Sequence, residues 1–108
     1  ERSMTMVHFD METFDKALEE GKLMMVDFWA EWCGPCQMLG PVIESLAEEY
    51  EGRAVVGKVN TDEEQELAIR YRVMNIPTVL FFKDGREIER RVGVMPPDAF
   101  VQILEENL

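Results

Sequence analysis

The chain has 108 residues, a length at which a single domain with its own hydrophobic core is expected. Apolar residues make up 46% of it, an ordinary value for a globular protein, and 22 acidic against 11 basic residues give a formal net charge of −11. Such an acidic surface repels phosphate backbones and anionic lipids, so we expect neither nucleic acid nor a membrane as partner. We expect a soluble monomer.

The predicted location is cytoplasmic. The apolar runs are far shorter than the roughly 20 residues of a membrane span, and no signal peptide is visible. Two cysteines in a chain with an adequate core are not typical of a disulfide scaffold.

The first predicted elements are an edge strand over residues 4–9 and a helix. Asp10 can cap this helix through its carboxylate, and Phe9 and Phe14 have the spacing of a hydrophobic staple. His8, the only histidine, has no cysteine or second histidine near it in sequence. We therefore assign His8 a structural role.

The next apolar run, residues 23–29, lacks alternation and is typical of a strand buried on both faces. Asp27 interrupts it, and a carboxylate in a central strand costs free energy unless it is paired or protonated. Asp27 is therefore either a functional group or a loop residue outside the strand. We favour function, because a cysteine pair begins six residues later.

Both cysteines of the chain, Cys33 and Cys36, lie where a helical pattern begins. If Cys36 sits one turn into the helix, Cys33 lies at its N-terminus, where free N–H groups and the helix dipole favour a thiolate. A thiolate is the attacking species in disulfide exchange, so this spacing predicts redox chemistry. A structural disulfide over so short a loop would stabilise the fold little. A zinc site usually takes four ligands, and the chain supplies only two cysteines and a distant His8. Inert buried thiols would not explain the Gly34-Pro35 spacer.

The cysteine pair opens a long predicted helix over residues 33–50. Pro41 should kink this helix without ending it, because the apolar pattern continues past the proline. The predicted apolar stripe comprises Met38, Val42, Leu46 and Tyr50, with Ile43 and Ala47 beside them.

A strand over residues 54–59 follows, with Lys58 as an unusual charge. The spacing of Thr61–Glu64 is that of a capping box and predicts the start of a short helix. The turn signal Asp84-Gly85 predicts a hairpin between two strands, the second over residues 87–94.

The last helix is predicted to begin at Pro96 and Pro97, because proline is tolerated in a first turn. Its predicted buried stripe comprises Phe100, Ile103, Leu104 and Leu108. The full order is β-α-β-α-β-α-β-β-α, which predicts an α/β fold with a central mixed sheet and helices on both faces.

The sequence Trp-Cys-Gly-Pro-Cys at residues 32–36 matches the active-site motif of thioredoxins residue for residue. Further segments resemble thioredoxin landmarks in the same order: Asp27-Phe28-Trp29-Ala30, Lys58, Ile76-Pro77-Thr78 and Val92-Gly93. The resemblance extends over nearly the whole chain and implies a single thioredoxin domain over residues 1–108.

By this resemblance the chain is a protein-disulfide reductase. Cys33 would be the nucleophile that forms a mixed disulfide with substrate, and Cys36 the resolving cysteine that closes the Cys33–Cys36 disulfide. No bound cofactor and no metal are expected. Electrons would come from NADPH by way of a thioredoxin reductase, so the expected partners are that reductase and disulfide-containing protein substrates.

The resemblance also assigns residues around the cysteines. Asp27 and Lys58 resemble the family's buried acid and its lysine neighbour: burial should raise the pKa of Asp27 more than Lys58 lowers it, and Asp27 would be the general base for Cys36. Ile76-Pro77 resembles the family's cis-proline, beside which the backbone of Ile76 can pair with an extended substrate. An apolar docking groove is expected to be lined by Trp32, Gly34, Pro35, Ile76, Pro77, Gly93 and Val94.

Two positions depart from the family pattern. Gln37 stands where thioredoxins commonly have lysine or arginine, and its missing charge would weaken thiolate stabilisation or partner docking. Asn75 stands where glycine often precedes Ile-Pro, which would narrow access to the groove. Two other functions compete with reduction: an oxidase or isomerase of the same fold, disfavoured by the Gly-Pro spacer, and a non-catalytic binding module that uses the same groove.

Overall fold

The computed structural model of the protein describes residues 6–108. Strands and helices follow one another in the predicted order: β1 (Val7–His8), α1 (Met11–Glu19), β2 (Met24–Trp29), α2 (Gly34–Glu49), β3 (Val55–Asn60), α3 (Gln65–Arg70), β4 (Thr78–Lys83), β5 (Arg86–Val92) and α4 (Pro97–Asn107). Met4 and Thr5, which begin the predicted first strand, lie outside the described residues. Within residues 6–108, no helix combines the length and apolar character that crossing a membrane requires.

The five strands form one mixed sheet in the order β1-β3-β2-β4-β5. β1, β3 and β2 run parallel, whereas β4 is antiparallel to both β2 and β5. β2 lies at the centre and is buried along nearly all its length, as its mostly apolar sequence without alternation predicts. β1 is an edge strand, also as predicted.

Helices cover both faces of this sheet and create two apolar layers. On one face α2 and α4 contribute Leu39 and Phe100 to a buried cluster. On the other face α1 and α3 contribute Phe14 and Leu67 to a second cluster. The α/β architecture predicted from the order of elements is confirmed.

The position of Asp27 follows from the alternation of side chains along β2. Met25 belongs to the layer under α2 and α4, and Val26 to the layer under α1 and α3. Because successive side chains of a strand point to opposite faces, Asp27 shares the face of Met25. Asp27 therefore lies under α2, near the end of β2 from which the chain enters that helix.

The start of α1 has the predicted Asp10 cap, together with a return bond to Thr13 that was not predicted. The N–H of Thr13 donates to the Asp10 carboxylate at 2.8 Å, and the Thr13 hydroxyl accepts from the N–H of Asp10 at 2.9 Å. The rings of Phe9 and Phe14 lie 5.4 Å apart, so the predicted hydrophobic staple is present.

The predicted capping box at Thr61–Glu64 is wrong. Asn60 at the end of β3 accepts the backbone N–H groups of Asp62 and Glu63 at 2.9 and 3.2 Å. This side chain turns the chain before a helix can form, so α3 begins only at Gln65.

Two predicted stripe residues are exposed instead of buried. Met38 is 70% exposed, whereas Leu39 and Ile43 are fully buried. Four residues exceed one helical turn by about 40°. Met38 lies two such steps before the buried Leu46, so its side chain points away from the sheet. Leu108 is 51% exposed because α4 already ends at Asn107.

The hairpin and the start of the last helix agree with the prediction. Asp84 and Gly85 have φ values of 55° and 80°, and two positive values are what a type I′ turn requires. The returning strand ends at Val92, two residues before the predicted end. Pro96 is the N-cap of α4 and Pro97 its first residue.

Candidate active site

The two cysteines form a disulfide at the start of α2. Cys33 is the N-cap residue with extended backbone angles, and its sulfur accepts the N–H of Cys36 at 3.2 Å. Gly34 and Pro35 occupy the first turn of the helix. N–H groups of a first turn have no partner within the helix, so the missing proline N–H costs no hydrogen bond. The first sulfur therefore lies at the positive end of the helix dipole, as the spacing predicts.

Both cysteines are almost covered by their neighbours. Cys33 is 5% and Cys36 2% exposed; they form a buried cluster with Ala30, and Trp29 and Ile76 pack against this cluster. The Cys33 sulfur lies 3.8 Å from the carbonyl oxygen of Ile76. The pair thus joins the N-terminus of α2 to the loop before β4.

That loop contains the predicted cis peptide bond between Ile76 and Pro77. The Thr78 hydroxyl donates to the carbonyl of Asn75, and the carbonyl of Pro77 accepts the N–H of Gly93 at 2.8 Å. The structure therefore brings Ile76 next to Cys33 and Gly93 next to Pro77, although each pair is separated by many residues in sequence.

The residues predicted to line the docking groove differ in exposure. Trp32 is 72% and Val94 45% exposed, Gly34 and Pro35 are also exposed, Ile76 and Gly93 are half-buried, and Pro77 is buried. Pro77 is therefore the one buried member of the predicted set.

Asp62 is a residue of this region that the sequence analysis missed. The Trp32 indole N–H donates to the Asp62 carboxylate at 2.9 Å, which holds the exposed ring against the loop after β3. The capping-box spacing had assigned Asp62 to a helix start. No pattern in the sequence relates it to a tryptophan thirty positions earlier.

Asp27 is fully buried beneath α2, and neither carboxylate oxygen has a hydrogen-bond partner among the described residues. Burial raises the pKa of Asp27 to about 7, and the positive charge of Lys58 lowers it only in part. This direction is the predicted one. Near neutral pH the carboxyl can therefore both hold and release a proton.

Lys58 is the cross-strand neighbour of Asp27 on β3. Its ammonium lies 4.1 Å from the centre of the Trp29 ring, an arrangement that holds the cation by its attraction to the aromatic face. Trp29 also packs against the buried cluster that contains the two cysteines, so one side chain adjoins both Lys58 and that cluster. In the sequence Trp29 stands out only as part of the segment Asp27-Phe28-Trp29-Ala30, without a role of its own.

The two positions that depart from the family pattern are both exposed. The Gln37 amide donates to the carbonyl of Glu31 at 3.2 Å, so it braces the backbone just before Trp32. Asn75 contacts the loop before β4 through its backbone, because its carbonyl accepts a hydrogen bond from the Thr78 hydroxyl.

Across residues 6–108, no three histidine, cysteine, aspartate or glutamate side chains converge in a way that could hold a metal ion. Cys33 and Cys36 can undergo two-electron exchange between a dithiol and a disulfide.

The thioredoxin family model matches residues 5–106. The chain belongs to the thioredoxin family. It is 43% identical to a thioredoxin of Staphylococcus aureus strain Mu50 over 105 residues, covering 97% of this chain and 100% of that one. It is 45% identical to a thioredoxin of Chlorobaculum thiosulfatiphilum over 91 residues, 84% of each chain.

A solved structure supports the same assignment. A single-site mutant thioredoxin from Halobacterium salinarum NRC-1 superimposes with a TM-score of 0.84 at 40% identity, covering 93% of this chain and 88% of that one. The resemblance inferred from the sequence and the predicted thioredoxin fold are both confirmed. As a thioredoxin-family protein with a Cys33–Cys36 disulfide, the chain is a thiol-disulfide oxidoreductase.

Proposed function

We propose that this thioredoxin-family protein reduces protein disulfides through a mixed disulfide at Cys33. The observation that carries the proposal is the position of the Cys33 sulfur at the N-terminus of α2, where it accepts the N–H of Cys36. A backbone donor and the helix dipole stabilise negative charge on this sulfur, so Cys33 is the better nucleophile of the pair.

The reaction proceeds in two exchanges. The Cys33 thiolate attacks one sulfur of the substrate disulfide; a bond forms between them, the substrate S–S bond breaks, and the second substrate sulfur leaves as a thiolate. The Cys36 thiolate then attacks the Cys33 sulfur, which forms the Cys33–Cys36 bond and releases the first substrate sulfur. Two electrons have passed to the substrate, and its thiolates take up two protons.

Asp27 is the general base for the second exchange. Cys36 must lose its proton before it attacks, and a buried carboxyl with a pKa of about 7 is a suitable acceptor near neutral pH. Support comes from the placement of Asp27 on the sheet face under α2, the helix that carries Cys36. Lys58 tunes this base, because its charge limits how far burial raises the pKa of Asp27.

The substrate docks along the groove defined above. Its extended backbone pairs with Ile76, whose carbonyl lies 3.8 Å from the attacking sulfur. Trp32, Gly34 and Pro35 cover one side of the substrate, and Gly93 and Val94 the other. The apolar surface favours unfolded or extended segments around the target disulfide.

We further propose that the disulfide is reduced again by a thioredoxin reductase that draws electrons from NADPH. Oxidation of NADPH in a mixture of reductase, this protein and a disulfide substrate would test this step. The proposed setting is the cytoplasm, where a reducing environment keeps thiols free, and the proposed form is a single-domain monomer. Sedimentation at micromolar concentration would test the oligomeric state.

The roles of the two cysteines can be separated by serine substitution. Cys33→Ser should abolish insulin reduction with dithiothreitol as donor, because no nucleophile remains. Cys36→Ser should accumulate covalent adducts with substrate, because nothing resolves the mixed disulfide. Mass spectrometry after incubation with insulin distinguishes the two.

Several outcomes would contradict the proposal. Covalent trapping by Cys33→Ser would reverse the assigned roles. An inactive parent chain would indicate a binding module. Thioredoxins have a reduction potential of about −270 mV, and a measured value near the roughly −120 mV of a strong dithiol oxidant would indicate an oxidase.

A further inference from the structure

Arg90 on β5 reaches across to the end of α3. Its guanidinium donates to the backbone carbonyl of Tyr71 at 2.7 Å and to that of Arg72 at 3.4 Å. The same group donates to the Glu87 carboxylate at 2.9 and 3.0 Å. Bidentate pairing with a carboxylate fixes the plane of the guanidinium, so its outer nitrogens point at the two carbonyls.

A bulge in β5 makes this arrangement possible. Residues three apart on a regular strand face opposite sides of the sheet. In β5, however, Phe82 is paired with Glu87 and Phe81 with Glu89, so one residue is skipped. Glu87 and Arg90 therefore face the same side, which is the side covered by α3.

The backbone that Arg90 contacts has an unusual conformation. Arg72 has a φ of 54°, in the left-handed region that favours glycine. Its N–H donates to Ile69, and that of Val73 donates to Ala68, at 3.1 and 2.9 Å. These bonds end α3 as in a Schellman motif, but with arginine at the position where glycine is usual.

This strained turn leads directly into the segment that faces Cys33. Four residues along the chain take Arg72 to Ile76, and the other end of the segment is held by the bond between the Gly93 N–H and the Pro77 carbonyl. The segment over residues 72–77 is therefore held at both ends. The Arg90 side chain of β5 binds its start, and the backbone of Gly93, the residue after β5, binds its end.

We propose that Arg90 is a positioning residue for substrate docking, because it fixes the turn from which the chain runs to Ile76. The inference rests on the proposed function, since Ile76 matters only if substrates pair with it. Arg90 touches neither substrate nor cysteine; it acts through the backbone of Tyr71 and Arg72. Loss of Arg90 should therefore weaken substrate binding and leave the dithiol chemistry of α2 intact.

Arg91 provides a matched control on the same strand. Its guanidinium donates to the Glu89 carboxylate at 2.8 Å, so Arg91→Ala removes the same charge and one comparable ion pair. Arg91 is paired with Val79, in the layer under α2 and α4, and therefore faces the opposite side of the sheet from Arg90. The backbone carbonyl to which it donates is that of Arg90, on its own strand, and not one in the loop after α3.

The test compares two substrates for the parent, Arg90→Ala, Arg90→Lys and Arg91→Ala. Insulin uses the docking groove, whereas dithiobisnitrobenzoate, a small disulfide, needs only access to Cys33. For Arg90→Ala we expect KM for insulin to rise about tenfold, with kcat and the rate on the small disulfide within about twofold of the parent. Arg90→Lys should be intermediate, because one ammonium cannot replace the planar fork, and Arg91→Ala should match the parent.

A parent that is inactive on insulin would refute the proposed function, whatever the variants do. With an active parent, the inference fails if Arg90→Ala and Arg91→Ala have equal KM values, or if Arg90→Ala loses the same proportion of activity on both substrates, as a partly unfolded protein would. If Arg90→Ala does not fold, Arg90→Lys decides: a KM above that of the parent supports the inference, and an unchanged KM overturns it.

Discussion

At the residue scale, the most unusual group is the buried carboxyl of Asp27. Its oxygens have no hydrogen-bond partner among residues 6–108, and a carboxylate in such a place resists ionisation. A stable core would not need an acid there. The site therefore accepts a loss of stability near neutral pH, which is typical of residues that serve catalysis.

Asp27→Asn should make the oxidised protein more stable and the reduced one a poorer catalyst. The unfolded carboxyl ionises above a pKa of about 3.9, whereas the folded one holds its proton until about pH 7. Stability of the parent therefore falls as the pH rises from about 4 to 7 and is level above. Asparagine carries no such penalty, so its advantage should grow over the same window to a value on the order of 4 kcal/mol.

Urea unfolding at several pH values measures this difference, and insulin turnover tests the loss of the base. Asp98→Asn, at an exposed position in the first turn of α4, is the control, because it removes one carboxylate from the surface and none from the core. An Asp27→Asn variant less stable than the parent near pH 8 would contradict a destabilising buried charge. Unchanged turnover would remove Asp27 from the mechanism.

At the element scale, the edge strand β1 depends on a single glycine of its neighbour. Gly57 on β3 is paired with Val7, and a Cβ at this position would lie 2.6 Å from the Val7 carbonyl and collide with the Phe9 ring as well. Phe9 in turn packs on Phe14 at the start of α1. The absence of one side chain therefore lets β1 and α1 approach the sheet.

Gly57→Ala should destabilise the protein by about 2–4 kcal/mol, because the backbone of β1 must move and the Phe9 ring must leave its place. Gly40→Ala is the matched control, since a Cβ there meets nothing within 4 Å, and its effect should be neutral or stabilising by up to about 1 kcal/mol. Urea denaturation measures both. Equal effects of the two substitutions would mean that β1 tolerates displacement.

At the scale of the whole molecule, the excess of acidic residues opposes folding. The five ion pairs among the described residues are exposed or half-exposed, and pairs of this kind each contribute about 0–1 kcal/mol. A net charge of −11 on a chain of 108 residues adds repulsion over the entire surface.

Added salt should therefore stabilise the protein. Raising sodium chloride from about 20 to about 300 mM at neutral pH shortens the Debye length from roughly 20 to 6 Å and should increase the free energy of unfolding by about 1 kcal/mol. Chemical denaturation by urea, which is uncharged, measures this. Potassium chloride should give the same gain, because screening does not depend on the cation. A decrease would mean that the ion pairs outweigh the general repulsion.

The sequence by itself determined the features that depend on local pattern. The order of elements, the staple between Phe9 and Phe14, the Asp84-Gly85 hairpin and the place of Cys33 at a helix N-terminus all follow from short-range spacing, and each agrees with the structure. The burial of Asp27 was predictable because apolar residues flank it on both sides, although a loop position was the alternative. The cis bond before Pro77 and membership of the thioredoxin family were predicted from the resemblance of successive motifs, and both agree with what is found.

Only the tertiary structure decided which distant side chains meet. Strand order determines the bond from Trp32 to Asp62 and the bonds from Arg90 to the end of α3. The Arg90 bonds also depend on the bulge in β5, which no turn residue in the sequence indicates. The late start of α3 was missed because Asn60 competes for the same N–H groups as the apparent capping box. Local spacing predicts the helices and strands. Pairing between strands decides which face of the sheet each side chain points to, because one skipped residue moves the following side chains to the opposite face.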